Sequence, residues 1–443
     1  MAPQPARTPA RAHAHLQARG RLASLALVAI LIAACGTSVP SPSAAPAPTP
    51  TATAASSTPP ASTATPGPTP NNDAIFGSIE SAVQQLRGLN KRTNGARALL
   101  SEDQLKTVVT AEFTKSNPPA LIAANEQLEK ALGLLPADAS LRDLELQLLS
   151  SQVAGLYDPD TKSMDVVSKA GTLGPVEQIT YAHEFDHALQ DQTFGLSKLG
   201  LDDTSNSDRS LARLSLPEGD ATLLMTLWAE TNMSPADLLL FAQQANDPSQ
   251  TAILNAMPED LKQTLLFPYE SGLSWVSGLH ASGGWAAVNA AYARPPDSTE
   301  QILHADKWAS HEAPIAVTIP ANLPAKLGAG WTMPLTDTLG ELQLQIWLEQ
   351  VGKVSDSGQA AAGWGGDRVA LVQKGSAFGV AIITRWDGGA DETEFITAAG
   401  LTLKNLLSRT AMNVSAPNHQ VVLLIASDDA TITALESALG LAG

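Results

Sequence analysis

The sequence predicts an α+β fold: a mainly helical region carrying one small β-hairpin, followed by a smaller α+β unit. Three observations predict it. Apolar residues recur at helical spacing through much of residues 73–292, and a stretch punctuated by a turn interrupts them at 153–167. From about Trp331 onward, short strand-like runs alternate with helical ones.

The first 35 residues are a leader rather than part of that fold. Arg7, Arg11, Arg19 and Arg21 precede an apolar run, Leu22 to Ala34, too short to span a bilayer permanently. The run ends Leu31-Ile-Ala-Ala-Cys35, which resembles a bacterial lipoprotein signal. That resemblance implies cleavage before Cys35 and a lipid on its thiol, and so an extracytoplasmic protein anchored to the outer face of a bacterial membrane. An ordinary secretory peptide cut near Ala34 is the competing account. Cys35 is the only cysteine, which excludes an internal disulfide framework and a thiolate metal site. Residues 36–72 consist largely of Pro, Thr, Ser and Ala, carry no charge, and read as a disordered or polyproline-like tether. Removing a leader with four arginines and no acids takes the net charge from −17 to about −21. So acidic a body, with no basic stripe, speaks against nucleic-acid binding.

Residues 73–152 read as mostly helical. Ile79 to Leu86 places apolar residues at helical intervals, and Ser101-Glu-Asp-Gln104 forms a capping box. Leu121 to Leu135 and Leu141 to Leu149 continue the pattern, as core packing. Val153 to Tyr157, a turn at Asp158-Pro-Asp-Thr161, and Ser163 to Val167 then predict a hairpin. Pro175 suits the first turn of the next helix. Leu199 to Asp208 is a polar loop. Helices are expected at Ala221 to Ala229, Pro235 to Ala245, Ile253 to Leu266 and Gly272 to Tyr292. In the C-terminal unit, helices are expected at Leu339 to Val351, Asp391 to Leu407 and Asp429 to Leu439. Strands are expected at Val369 to Gln373, Phe378 to Trp386 and His419 to Ala426, and Gly363 to Arg368 as a tight turn packing Trp364. The folded body of about 370 residues then divides at 73–325 and 326–443.

The chemistry concentrates in Tyr181-Ala-His-Glu-Phe-Asp-His187. On a helix, His183 and His187 lie one turn apart and project from one face, with Glu184 able to reach a water beside them. That is the H-E-x-x-H arrangement of zinc (Zn2+) hydrolases: two nitrogen ligands and a general base. Catalytic zinc commonly takes a third protein ligand, and Glu218 in Leu216-Pro-Glu-Gly-Asp-Ala221 offers a carboxylate. The plainer account makes Glu218 a first-turn acid stabilising a helix N-terminus, with Pro217 at the first helical position.

HEFDHALQDQTF followed by EGDA resembles the gluzincin group of zincin metallopeptidases, and is similar to predicted secreted or lipid-anchored bacterial members. Gly155-Leu-Tyr-Asp-Pro159, Pro296 to His304 and Gly363 to Arg368 share in the resemblance. It implies a zincin-like catalytic domain at 73–325 acting as a zinc endopeptidase on peptide or protein substrates. His183, His187 and Glu218 would be the metal ligands and Glu184 the catalytic base. The hairpin would supply an edge strand on which a peptide adds itself as a further strand, against the plainer account of a small stabilising ribbon. His304, Tyr269 and Tyr157 are candidate donors to the oxyanion, His304 foremost, against the reading of His304 as a surface histidine. Asp186, Asp191 and Asp220 are candidates to orient the imidazoles. Two other functions stand beside the peptidase: a non-catalytic cell-surface binding lipoprotein on the same scaffold, and a structural-metal module closed by a fourth side chain.

Overall fold

A computed structural model of the chain describes residues 25–26, 71–245, 248–415 and 418–441. Cys35, most of the leader and nearly all of the tether lie outside them, apart from the two-residue strand β1 (Leu25–Ala26). The leucine-rich region forms α1 (Asn72–Arg87), α2 (Glu102–Ser116), α3 (Pro119–Leu132) and α4 (Leu141–Gln152). The capping box forms as expected: Ser101 Oγ accepts from the Gln104 amide and Gln104 Oε1 from the Ser101 amide. Strand β2 (Arg97–Leu100) lies between α1 and α2, in a region expected to be mostly helical. Its partner is remote, in parallel with β4 (Ser163–Val167), so no local pattern announces it. β4 also pairs antiparallel with β3 (Gly155–Asp158), which is the expected hairpin. β1 adds antiparallel to the far side of β3, giving the order β1-β3-β4-β2.

Next come α5 (Pro175–Phe194) and α6 (Ser207–Asn232), followed by α7 (Pro235–Ala245) and α8 (Pro248–Ala256). The long α9 (Glu259–Ala293) bends at Gly283 and Gly284, and three short helices follow: α10 (Thr299–Leu303), α11 (Ala305–Ala309) and α12 (Leu323–Leu327). Pro175 opens α5, as expected. Pro217 does not open a helix: it lies inside α6, which starts ten positions earlier, after a cap where Asn206 Oδ1 accepts from the Arg209 amide. Glu218 is therefore a mid-helix residue. The cost of an internal proline is offset by packing, since Leu214, Leu216, Gly219 and Ala221 are all buried around it. Gly219 lets α6 and α9 cross at backbone contact: a Cβ there would lie 2.3 Å from the Gly272 carbonyl oxygen.

The C-terminal unit comprises β5 (Thr332–Asp337), α13 (Gly340–Gln350), α14 (Ser357–Ala361), β6 (Trp364–Lys374), β7 (Ala377–Trp386), α15 (Gly389–Lys404), β8 (Arg409–Ser415), β9 (Gln420–Ala426) and α16 (Asp429–Leu439). Its five strands run antiparallel in the order β5-β6-β7-β9-β8. Trp364 to Arg368 is the irregular start of β6 rather than a free-standing turn, and Trp364 is buried there.

The fold is α+β, with helices in the majority. One apolar core surrounds α5 and includes Tyr181, Phe185, Leu189, Leu216, Leu224 and Val276. A second lies against the five-stranded sheet around Trp347, Trp364, Trp386 and Phe395, and α3 contributes Ala124, Leu128 and Leu132 to it. The Trp347 indole donates to the Leu132 carbonyl at 3.0 Å. No helix among the described residues is long and apolar enough to cross a membrane.

Candidate metal centre

Helical spacing presents His183 and His187 on one face of α5, and α6 crosses that face with Glu218. The three side chains converge. His183 Nε2 lies 3.0 Å from His187 Nε2 and 3.2 Å from Glu218 Oε2, and His187 Nε2 lies 3.4 Å from the same oxygen. Ligands about 2.0–2.1 Å from a tetrahedral zinc lie about 3.3–3.4 Å from one another, so this triangle has the dimensions of one face of such a site. His183, His187 and Glu218 are each at most 1% exposed, and Glu184 is fully buried. Among the described residues, His183 Nδ1 and Glu218 Oε1 have no hydrogen-bond partner, and Glu218 pairs ionically only with the two imidazoles. A buried carboxylate so placed calls for a cation. The donor set, two nitrogens and one oxygen, suits zinc.

Burial and mutual charge shift each of these groups. Burial pushes the Glu218 carboxyl up, but His187 and His183 pull it down further, leaving it below the ordinary range. Burial lowers His183. It lowers His187 too, but Glu218 and then Glu184 overcome it and raise that imidazole to about 10. Glu184 lies against the backbone of β3: a Cβ on Gly155 would come within 2.6 Å of Glu184 Oε1 and 3.0 Å of its Cγ. The same Cβ would lie 2.6 Å from Thr180 Cγ2, so glycine leaves room for both side chains between helix and strand.

Behind the three converging side chains lies a polar network, only part of which falls within the sequence motif. His187 Nδ1 is 3.0 Å from Gln190 Oε1, and Gln190 Nε2 donates to Asp186 Oδ2 at 2.8 Å and to the Pro217 carbonyl at 3.1 Å. Asp220 accepts from Arg87 Nε and Nη2, both at 2.8 Å, and from the Tyr292 hydroxyl at 2.8 Å. Arg87 Nε is also 3.9 Å from Asp186. Burial, and then Asp220, push the Asp186 carboxyl up to about 7. Asp186 thus reaches His187 through Gln190. Asp191 does not face the imidazoles: it accepts from the Tyr157 hydroxyl and from Lys162. Gln190 was legible in principle, three residues beyond His187 on the same helix. Arg87 and Tyr292 come from distant helices with no motif to mark them.

Of the three candidate oxyanion donors, Tyr269 is the one whose ring stacks beside a ligand, 6.4 Å from His183. The Tyr157 hydroxyl is committed to Asp191. His304 lies at the junction of α10 and α11, its Nε2 2.8 Å from Glu341 Oε1, and that hydrogen bond raises its pKa. Its side chain is thus engaged by Glu341 of α13.

A second group of acids, Glu300, Glu312 and Asp387, also converges, but Lys307 fills it and pairs with all three. Compared with known proteins, residues 329–437 match a domain family of unknown function, DUF8575. No curated protein and no solved structure matches the chain.

Proposed function

We propose that the chain is a zinc-dependent endopeptidase of the gluzincin kind, with His183, His187 and Glu218 as ligands and Glu184 as the catalytic base. The convergence of those three ligand atoms within 3.4 Å of one another carries the reading. A bound zinc would supply Lewis acidity, making a water acidic near neutrality and drawing charge from a substrate carbonyl. Glu184 takes the proton of the attacking water and delivers it to the leaving amine. Burial excludes bulk water from Glu184 and strengthens its interactions.

The substrate is a peptide in extended form, added antiparallel along β3. Gly155 of β3 lies against Glu184, and the outer edge of β3 already accepts Leu25–Ala26 in this manner. Cleavage before Cys35 would remove those two residues and leave β3 as an edge. We propose that Cys35 then carries a lipid, holding the enzyme on the extracytoplasmic face of a bacterial membrane.

The test pairs the chain with its Glu184→Gln variant. Both are expected to bind about one zinc, and only the parent to cut casein or a peptide library. Zinc binding without any cleavage by the parent would favour a binding protein on the same scaffold. Cleavage by Glu184→Gln would remove Glu184 from its assigned role.

A further inference from the structure

We infer that Gln190 is a positioning residue that fixes the tautomer of His187 and locks it to the turn of α6 bearing Glu218. The inference rests on the metal reading above and adds to it a residue outside the ligand set.

The hydrogen-bond pattern decides which way the amide faces. One end of Gln190 lies 2.8 Å from the Asp186 carboxylate and 3.1 Å from the Pro217 carbonyl, and both of these are acceptors. That end must be the NH₂ group. The other end is therefore the carbonyl oxygen, and it faces His187 Nδ1 at 3.0 Å. A carbonyl oxygen only accepts, so Nδ1 carries the hydrogen. The Nε2 lone pair is then the one directed toward His183 and Glu218, as a metal ligand requires.

The second hydrogen bond from the amide matters as much. Pro217 immediately precedes Glu218, and its carbonyl accepts across the helix crossing from Gln190. A single side chain thus joins the second histidine of α5 to the backbone beside the carboxylate ligand of α6. Gln190 is itself fully buried, so water does not compete for these bonds. His183 has no such arrangement, since its Nδ1 lacks a partner among the described residues. The two imidazoles are therefore held unequally, and His187 is the one whose orientation depends on a single amide.

The test uses the full chain and measures zinc affinity by competition with a chromophoric chelator, alongside the imidazole N–H signals of histidine-labelled protein. Gln190→Met keeps the volume and removes all three hydrogen bonds; Gln190→Glu keeps an acceptor for Nδ1. Gln190→Met is expected to weaken zinc binding 10–100-fold and to lose the His187 Nδ1–H signal. Thermal unfolding of the zinc-free Gln190→Met variant checks that it is folded. Gln190→Glu is expected to retain the signal and to bind zinc more tightly than Gln190→Met. Zinc binding by folded Gln190→Met within threefold of the parent, with the Nδ1–H signal intact, would overturn the inference. A parent chain that takes up no zinc would instead overturn the metal reading, and this inference with it.

Discussion

Gly155 does as much for the site as any charged residue, because it has no side chain. Any larger residue would drive a Cβ into the Glu184 carboxylate, which that backbone confines from one side. Gly155→Ala should therefore leave the three ligands in place while displacing the base. We expect zinc stoichiometry to stay near one per chain and cleavage to fall by about 10²-fold, the usual cost of a misplacement near 1 Å. Metal analysis and peptide turnover on the same preparation check this, and full turnover by the variant would show that β3 does not hold Glu184. The histidine pair of the candidate site is legible because the information is local: two histidines at four-residue spacing share a face of any helix. Glu218 was legible as a residue type in a motif, though its position was misread. Pro217 looked like the opening of a helix, whereas the stronger cap at Asn206 starts α6 earlier and burial carries it through the proline.

At the scale of elements, what positions Glu218 is the crossing of α6 over α5 and α9. Gly219 and Gly272 allow the last of these contacts: a Cβ on either would lie within 2.5 Å of a backbone oxygen of the other helix. Gly219→Ala must separate the helices, at a cost of about 1–3 kcal/mol for overpacking. Because Glu218 is the adjacent residue, zinc affinity should fall together with the unfolding temperature. Calorimetry and chelator competition would separate this from a purely local effect; a destabilised variant with unchanged zinc affinity would mean that the crossing does not set the ligand. Among the strands that the sequence did not disclose are β2, β5 and β8. β2 has four residues and a remote parallel partner, while β5 and β8 lie at the two edges of their sheet. None carries the clean alternation of a half-buried strand: β8 is mostly of intermediate burial and β2 has no fully buried residue. Strand pairing is decided by distant residues, and composition within so short a window does not encode it.

Across the whole molecule, the C-terminal unit is built into the support of the candidate metal site. Asp337 of β5 accepts from the Ser207 amide at the start of α6, Arg368 of β6 donates to the Ser205 carbonyl at 2.6 Å, and α3 sits in the C-terminal core. Asp208, in the first turn of α6, lies in this junction. Its Oδ1 accepts from the Thr299 amide and hydroxyl, while its Oδ2 lacks a partner among the described residues. Burial pushes its pKa well above the ordinary value despite the Thr299 bonds. A raised folded-state pKa gives stability that is complete below about pH 4 and is lost as pH rises toward the folded value. Asp208→Asn keeps the acceptor at Oδ1 and removes the titration. We expect the parent's unfolding temperature to fall more steeply than that of the variant as pH rises above about 4. Parallel slopes would show that Asp208 is ionised in the folded chain.

Zinc-edge anomalous diffraction from crystals of the zinc-loaded chain tests the central claim most directly. The account predicts one zinc bound through Nε2 of His183, Nε2 of His187 and the carboxylate of Glu218, with its remaining side open toward Glu184. A zinc closed by a fourth protein side chain, or held away from these three residues, would contradict it.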